Sequence, residues 1–268
     1  MTTAPPRRLA LIGAGNLGSA LARGWVASGC LNAGDIHITR RHASKLTGLE
    51  GEGFRVGTDN RAAVEDSDCV VIAVRPGAVA GVVEEISTVV GDAVVISVAT
   101  GVGLDSIRAA LPRGVSVARA MPNTAVETLS AMTCLAGTED SGAALSVARD
   151  LFNALGQTLL IDEEMMTPAT ALCACGIAFF LRTVRAAAQG GTEIGFDAED
   201  ALLLAAQTAR GAADLVLTGR GHPESEIDRV TTPKGCTIAG LNELEHHGFS
   251  SAMIRGILTS ARRAEELG

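Results

Sequence analysis

The chain has 268 residues, 47% of them hydrophobic and 3% aromatic, with one tryptophan and no tyrosine. That length suits one large domain or two ordinary ones, and a core so poor in aromatics must be built from Ala, Val, Leu and Ile, the materials of parallel sheets and close-packed helices. A formal net charge of -8 and the lack of any Lys/Arg-rich run exclude nucleic acid as the main partner, since phosphate backbones need a basic surface.

The six cysteines (Cys30, Cys69, Cys134, Cys173, Cys175, Cys236) lie in apolar sequence without the spacing of a disulfide framework or a zinc site. They read as reduced thiols of a cytoplasmic protein. Met1–Arg8 is a short polar lead-in with no signal-peptide pattern, and no uncharged apolar stretch reaches the ~18 residues of a membrane span, so no membrane partner is expected.

In chain order, Leu9–Gly24 (LALIGAGNLGSALARG) reads as strand, tight turn and helix. Gly13 permits the turn, Gly15 lets the backbone approach a pyrophosphate, and Gly18 lets the helix pack on the strand; the free N–H groups of the helix start then face the phosphates. Asp35–Arg40 is the next strand. Thr39, Arg40 and Arg41 stand at its end, where an acidic residue would hold the ribose 2′-OH of NAD. Arginine there accommodates a 2′-phosphate, so NADP(H) is favoured over NAD(H); a solvated basic turn is the alternative.

Val56–Asn60 leads to a helix over Arg61–Glu65. Cys69–Val74 is an apolar run suited to a strand buried on both faces, and Pro76 holds Arg75 extended at its carboxyl end, the edge where open α/β sheets bind ligands. Val79–Ile86 is helical, Ala93–Ala99 is a strand ending at Thr100-Gly101, and Leu104–Leu111 is helical. Val115–Arg119 starts a strand that closes into Met121-Pro122-Asn123-Thr124, with Ser130–Leu135 and Gln157–Ile161 as the last strands around a helix over Ala143–Leu155. The alternation implies a doubly wound, Rossmann-type parallel sheet over residues 1–162.

From residue 163 to residue 268 the pattern is all helical: Ala169–Gln189, Ala198–Leu217, Pro233–Glu245 and Ser250–Glu266, with Asp197 and Ser250 as candidate N-caps. The first of these helices is apolar nearly all round, yet falls short of a membrane span once Arg182 and Arg185 are counted. Cover for it requires a second copy, so a homodimer with interleaved C-terminal helices is expected. Pro233-Lys234-Gly235-Cys236-Thr237 reads as a helix start with N–H groups free for a carboxylate and Lys234 adding charge. Thr232 and Thr237 are either helix caps or hydroxyls facing a substrate. His222, His246 and His247 are read as surface residues, and no metal is needed.

Taken together, IGAGNLGSAL at Ile12, TDN at Thr58, AVRP at Ala73, ISVATG at Ile96, RAMPNT at Arg119, AAQTARGAADLVL at Ala205, HPESEIDRV at His222 and TPKGCTIAGLNELEHHGF at Thr232 resemble the pyrroline-5-carboxylate reductase family over nearly the whole chain. The resemblance implies a dinucleotide-binding domain, a helical dimerisation domain, further assembly of dimers, and reduction of the cyclic imine 1-pyrroline-5-carboxylate to proline by NAD(P)H. It places cofactor contacts on Gly13, Ala14, Gly15, Asn16, Leu17, Gly18, Thr39, Arg40, Arg41, Asn60, Ala73, Val74, Arg75, Pro76, Val98, Ala99 and Thr100. It places the substrate carboxylate on Gly235, Cys236 and Thr237. Thr237 would polarise the imine and position it for hydride.

The chain departs from the family where the substrate belongs. Cys173-Ala174-Cys175-Gly176-Ile177-Ala178-Phe179 stands for SGSGPAY, Thr167 for an acidic residue, Ala125 for proline, and Thr232-Pro233-Lys234-Gly235-Cys236-Thr237 for a Ser-Pro-Gly-Gly-Thr-Thr sequence. Thr232, Lys234 and Cys175 therefore join the candidate substrate contacts. Two other readings stay open: an imine or ketimine reductase of a specialised pathway, and an NADPH-binding regulator without turnover.

Overall fold

The computed structural model describes residues 6–219 and 221–266. It divides into two compact units, one running to Cys175 and regaining the chain from Ser260, the other spanning Gly176–Thr259.

The first unit is an eight-stranded sheet flanked by helices. Its elements are β1 (Leu9–Ile12), α1 (Asn16–Ala27), β2 (Ile36–Thr39), α2 (Thr47–Gly51), β3 (Arg55–Gly57), α3 (Asn60–Glu65), β4 (Cys69–Ile72), α4 (Pro76–Ile86), β5 (Val94–Ser97) and α5 (Leu104–Arg108), followed by β6 (Val117–Pro122), β7 (Ala131–Ala136), α6 (Gly142–Asn153) and β8 (Gly156–Leu160). The strand order is β3-β2-β1-β4-β5-β6-β7-β8.

The first six strands are parallel, whereas β7 runs antiparallel to β6 and β8 parallel to β7, which corrects the expectation of a wholly parallel sheet. The reason is chain length. A parallel return needs a crossover of about a dozen residues or more. Asn123–Ser130 is shorter, and Leu129 turns it back with φ 54°.

Strand side chains alternate between two apolar layers. Leu9 and Leu11 meet Leu21, Trp25, Leu151 and Phe152 on the side of α1 and α6; Ala10 and Ile12 meet Val64, Val79, Val83, Ile86 and Ile107 on the side of α3, α4 and α5. Burial on both faces is why these strands read as unbroken apolar runs. Fully buried Trp25 donates from Nε1 to the Leu151 carbonyl at 3.0 Å and meets Phe152 edge-on, with ring centroids 6.0 Å apart.

After β8 the chain continues as α7 (Met166–Ala169), a π-helical turn at Thr170–Cys175 and α8 (Gly176–Glu193), so the helix expected from Ala169 is present with one wide turn in it. The second unit adds α9 (Ala198–Gly219), α10 (Pro223–Val230), α11 (Cys236–His246) and α12 (Phe249–Glu265), the last of which runs on into the first unit. Gly191 lets α8 and α9 approach, since a Cβ there would lie 3.0 Å from the Ala201 Cβ.

Asp197 immediately precedes α9, and its carbonyl accepts from Ala201 N at 2.9 Å. Ser250 is no N-cap: α12 begins one residue earlier, and the Ser250 hydroxyl donates to Glu245 Oε1 at 2.6 Å. Phe180, Leu181, Leu203 and Leu217 are exposed apolar side chains on α8 and α9. By length and composition alone, the run Glu163–Glu193 is apolar enough to cross a membrane, where the sequence reading had set Arg182 and Arg185 against a span.

Candidate active site

The glycine turn is built as its spacing requires. Gly13 adopts φ +113°, and a Cβ on it would lie 2.4 Å from the Ala73 carbonyl oxygen; a Cβ on Gly18 would lie 2.0 Å from that of Gly13. Gly13 N and Ala14 N both donate to the Thr39 carbonyl, at 3.0 and 3.1 Å. The α1 helix follows with no side chain capping it, and its first helical bond runs from Ser19 N to Gly15 O, which leaves the leading N–H groups facing outward.

A cavity of about 490 Å³ opens over this turn. Ten of the expected cofactor residues line it: Gly13, Ala14, Gly15, Thr39, Arg40, Arg41, Asn60, Ala73, Val74 and Arg75. Asn16, Leu17, Gly18, Pro76, Val98, Ala99 and Thr100 do not. Asn16, Leu17 and Gly18 form the first turn of α1, Pro76 is the first residue of α4, and Val98 and Ala99 are buried after β5, with Val98 N bound to the Ile72 carbonyl at 3.0 Å. Arg75 is extended (φ −62°, ψ 148°), as proline after it dictates.

Glu85 also lines the cavity, and sequence reasoning missed it. Thr39 Oγ1 donates to Asn60 Oδ1 at 2.6 Å, and Asn60 Nδ2 donates to Glu85 Oε2 at 2.8 Å. Ala78, Gly81, Val82 and Glu85 all face the cavity at the spacing of one helical stripe, the signal that could have found it. Arg40 donates from Nη1 to the Ala14 carbonyl at 2.6 Å. Arg41 and His42 are exposed, and their side chains make no hydrogen bond or ion pair among the described residues. Outward N–H groups, open space on the Cβ side of Gly15 and unspent positive charge fit a dinucleotide with a phosphorylated ribose.

A second cavity, of about 790 Å³, is lined by Asp162, Glu163, Glu164, Glu265 and Thr167 beside Gly101, Gly103 and Arg119. Its one arginine is already paired, so its charge disfavours anionic ligands.

At the end of β6, Asn123 accepts from Ala125 N at 3.1 Å and donates from Nδ2 to the Cys173 carbonyl at 3.4 Å, which brings the π-helical turn beside the carboxyl edge of the sheet. Cys173 packs on Cys134 of β7, and its Sγ lies 3.8 Å from the Met132 carbonyl. A hydrogen bond between the two thiols pushes Cys134 down to about 7 and Cys173 far up. All six cysteines are free; Cys175 ends the π-helical turn, half-buried.

In the second unit, the helix expected from Pro233 begins only at Cys236. Gly235 N donates to the Thr232 carbonyl at 2.9 Å and Lys234 takes φ 62°, so Pro233 and Lys234 form a turn ahead of the helix. Gly235 is the N-cap, and a Cβ on it would lie 2.5 Å from Thr232 Oγ1. Neither threonine caps α11: the hydroxyls of Thr232 and Thr237 make no hydrogen bond among the described residues, and no side chain caps this helix. His222 instead caps α10, with Nδ1 accepting from Glu224 N at 3.2 Å, a role the sequence did not suggest.

Comparison with known proteins gives two family matches. The model described as pyrroline-5-carboxylate reductase dimerisation matches residues 163–267, and that described as NADP oxidoreductase, coenzyme F420-dependent, matches residues 8–101. Pyrroline-5-carboxylate reductase 1 of Dictyostelium discoideum is 48% identical over 97% of this chain, which spans about half (49%) of that relative's length. Pyrroline-5-carboxylate reductase 2 of the same organism is 46% identical over 97% of this chain and 93% of its own. Among solved structures, a pyrroline-5-carboxylate reductase from Coxiella burnetii superposes with a TM-score of 0.88 at 28% identity, covering 98% of each chain.

Proposed function

The chain belongs to the pyrroline-5-carboxylate reductase family, and on that premise we propose that it reduces the C=N bond of 1-pyrroline-5-carboxylate to give proline, with NADPH as the reductant. When bound, NADPH supplies a hydride to the imine carbon and leaves as NADP⁺, while the ring nitrogen takes a proton from water or arrives already protonated. The glycine turn and α1 hold the pyrophosphate, and Arg41 meets the 2′-phosphate. The free N–H groups of Cys236 and Thr237, with Lys234 beside them, hold the substrate carboxylate, and the Thr237 hydroxyl hydrogen-bonds the imine nitrogen.

The observation that carries this reading is the unspent start of α11: a glycine N-cap, two threonine hydroxyls without partners and a lysine in one turn. In the same reading, residues 1–162 bind the cofactor and residues 163–268 form a cytoplasmic homodimer with interleaved helices, which can assemble further. The dimerisation-family match over the helical part supports the dimer. The thiols at Cys173 and Cys175 and the lysine at 234 favour a second reading, an imine reductase with a different substrate.

Steady-state NADPH oxidation decides among the readings. Turnover of 1-pyrroline-5-carboxylate that falls roughly a hundred-fold in Thr237→Val and is largely kept in Thr237→Ser supports the first. Turnover of other cyclic imines alone establishes the second, and NADPH binding without oxidation of any imine overturns both in favour of a non-catalytic binder.

A further inference from the structure

Arg40 and Arg41 are neighbours in sequence, but their surroundings differ. The Arg40 backbone N–H donates to the Gly57 carbonyl at 3.1 Å, and its guanidinium donates to the Ala14 carbonyl at 2.6 Å. The Ala14 N–H is itself bound to the Thr39 carbonyl at 3.1 Å. The residue at the middle of the glycine turn is thus gripped at its N–H from the end of β2 and at its carbonyl by a charged donor one residue further on. That double grip sets the direction of the N–H groups that follow it at Gly15, Asn16 and Leu17.

Arg41 is exposed, faces the same cavity and has no partner among the described residues. The carboxylate nearest in kind, Glu85, is held by the Asn60 amide and forms no ion pair with it. A planar guanidinium with all its donors free is the group that recognises a phosphate by paired hydrogen bonds.

We propose that the two arginines divide the cofactor between them: Arg40 is a positioning residue that fixes the pyrophosphate turn for any dinucleotide, and Arg41 selects for the 2′-phosphate. This rests on the NADPH-dependent reading above. Calorimetric dissociation constants for NADPH and NADH, measured on the full chain and on Arg40→Ala, Arg40→Lys and Arg41→Ala, test it.

Arg41→Ala raises the NADPH constant roughly ten-fold or more and leaves NADH within about two-fold. Arg40→Ala weakens both nucleotides by a common factor, so their ratio is kept, and Arg40→Lys regains part of both. Should Arg40→Ala unfold, Arg40→Lys and exposed Arg41→Ala carry the comparison. Loss of NADPH preference in the Arg40 variants, or equal weakening of both nucleotides in Arg41→Ala, overturns the division while leaving the reductase reading intact. A wild-type chain that binds neither nucleotide overturns that reading and the division together.

Discussion

Arg119 of β6 donates from Nη1 to Glu163 Oε1 at 3.0 Å, and the same oxygen accepts from the Leu104 N–H at 2.7 Å. One carboxylate thus ties the strand that ends in the Met121-Pro122-Asn123 edge, the start of α5, and the segment that leads out of β8. Arg119 is 7% exposed. Removing Glu163 leaves a buried guanidinium and a backbone N–H without their acceptor. Glu163→Ala is expected to lower unfolding free energy by about 2 kcal/mol in urea titrations, with Glu163→Gln losing less because it keeps an acceptor oxygen. Equal stability of Glu163→Ala and wild type would show that the tie holds nothing.

Lys234 is a non-glycine residue in left-handed backbone, at a position where the family sequence it resembles carries glycine. Lys234→Gly removes that strain and is expected to leave stability unchanged or raise it by up to about 1 kcal/mol, net of the entropy that glycine loses on folding. The same variant loses a charge beside the proposed carboxylate site, so KM for the imine rises while melting temperature does not fall. A drop in melting temperature contradicts the strain argument.

The shared proton of Cys134 and Cys173 has a spectroscopic consequence. In a thiolate absorbance titration, read as the difference between wild type and Cys134→Ala, the first step is expected at about 7. Cys173→Ala removes the donor to the Cys134 sulfur, and the step moves up into the ordinary thiol range or beyond, because burial then acts alone. A step that stays in place shows that the neighbouring thiol is not its cause.

His37 on β2 has its Nδ1 buried without a partner, and burial, then the charge of Arg55 opposite it, lower its pKa from the ordinary 6.5. Between pH 6.5 and the lowered native value, the unfolded chain binds a proton that the folded chain refuses. The contribution of neutral His37 is therefore whole above pH 6.5 and is lost as pH falls through the native value. Urea midpoints at pH 7.5, 6.5 and 5.5 are expected to decline less in His37→Phe, which has no titrating nitrogen and leaves no polar atom unsatisfied. Parallel declines in both proteins refute the assignment.

What the residues announce and what they withhold follow from range. The glycine turn was legible because sterics at Gly13 and Gly18 act within ten residues, and β1, β4 and β5 because burial on both faces leaves an apolar run. The strand β3 escaped notice since Arg55–Gly57 is three residues long and partly exposed, and the five-residue α2 has no room for a helical period. Apolar pattern does not encode strand direction, so the reversal at β7 was hidden, although the short Asn123–Ser130 link held the clue.

Within the site, residue types were legible and their partners were not. Arginine at 40 and 41 spoke for a 2′-phosphate, but only coordinates show that one guanidinium is already engaged with Ala14. Glu85 reaches the cavity from the last turn of α4, 25 residues along the chain from the Asn60 amide that holds it. The delayed start of α11 depends on a positive φ at a lysine, which composition gives no reason to expect.

The chain's one tryptophan, Trp25, sits fully buried on the helix that opens at the glycine turn, and there is no tyrosine to confuse its signal. Its emission overlaps the absorption band of a reduced nicotinamide. Fluorescence of the unlabelled protein therefore reports from a single known point in the first unit, and quenching by energy transfer offers a titration of cofactor loading without any added dye.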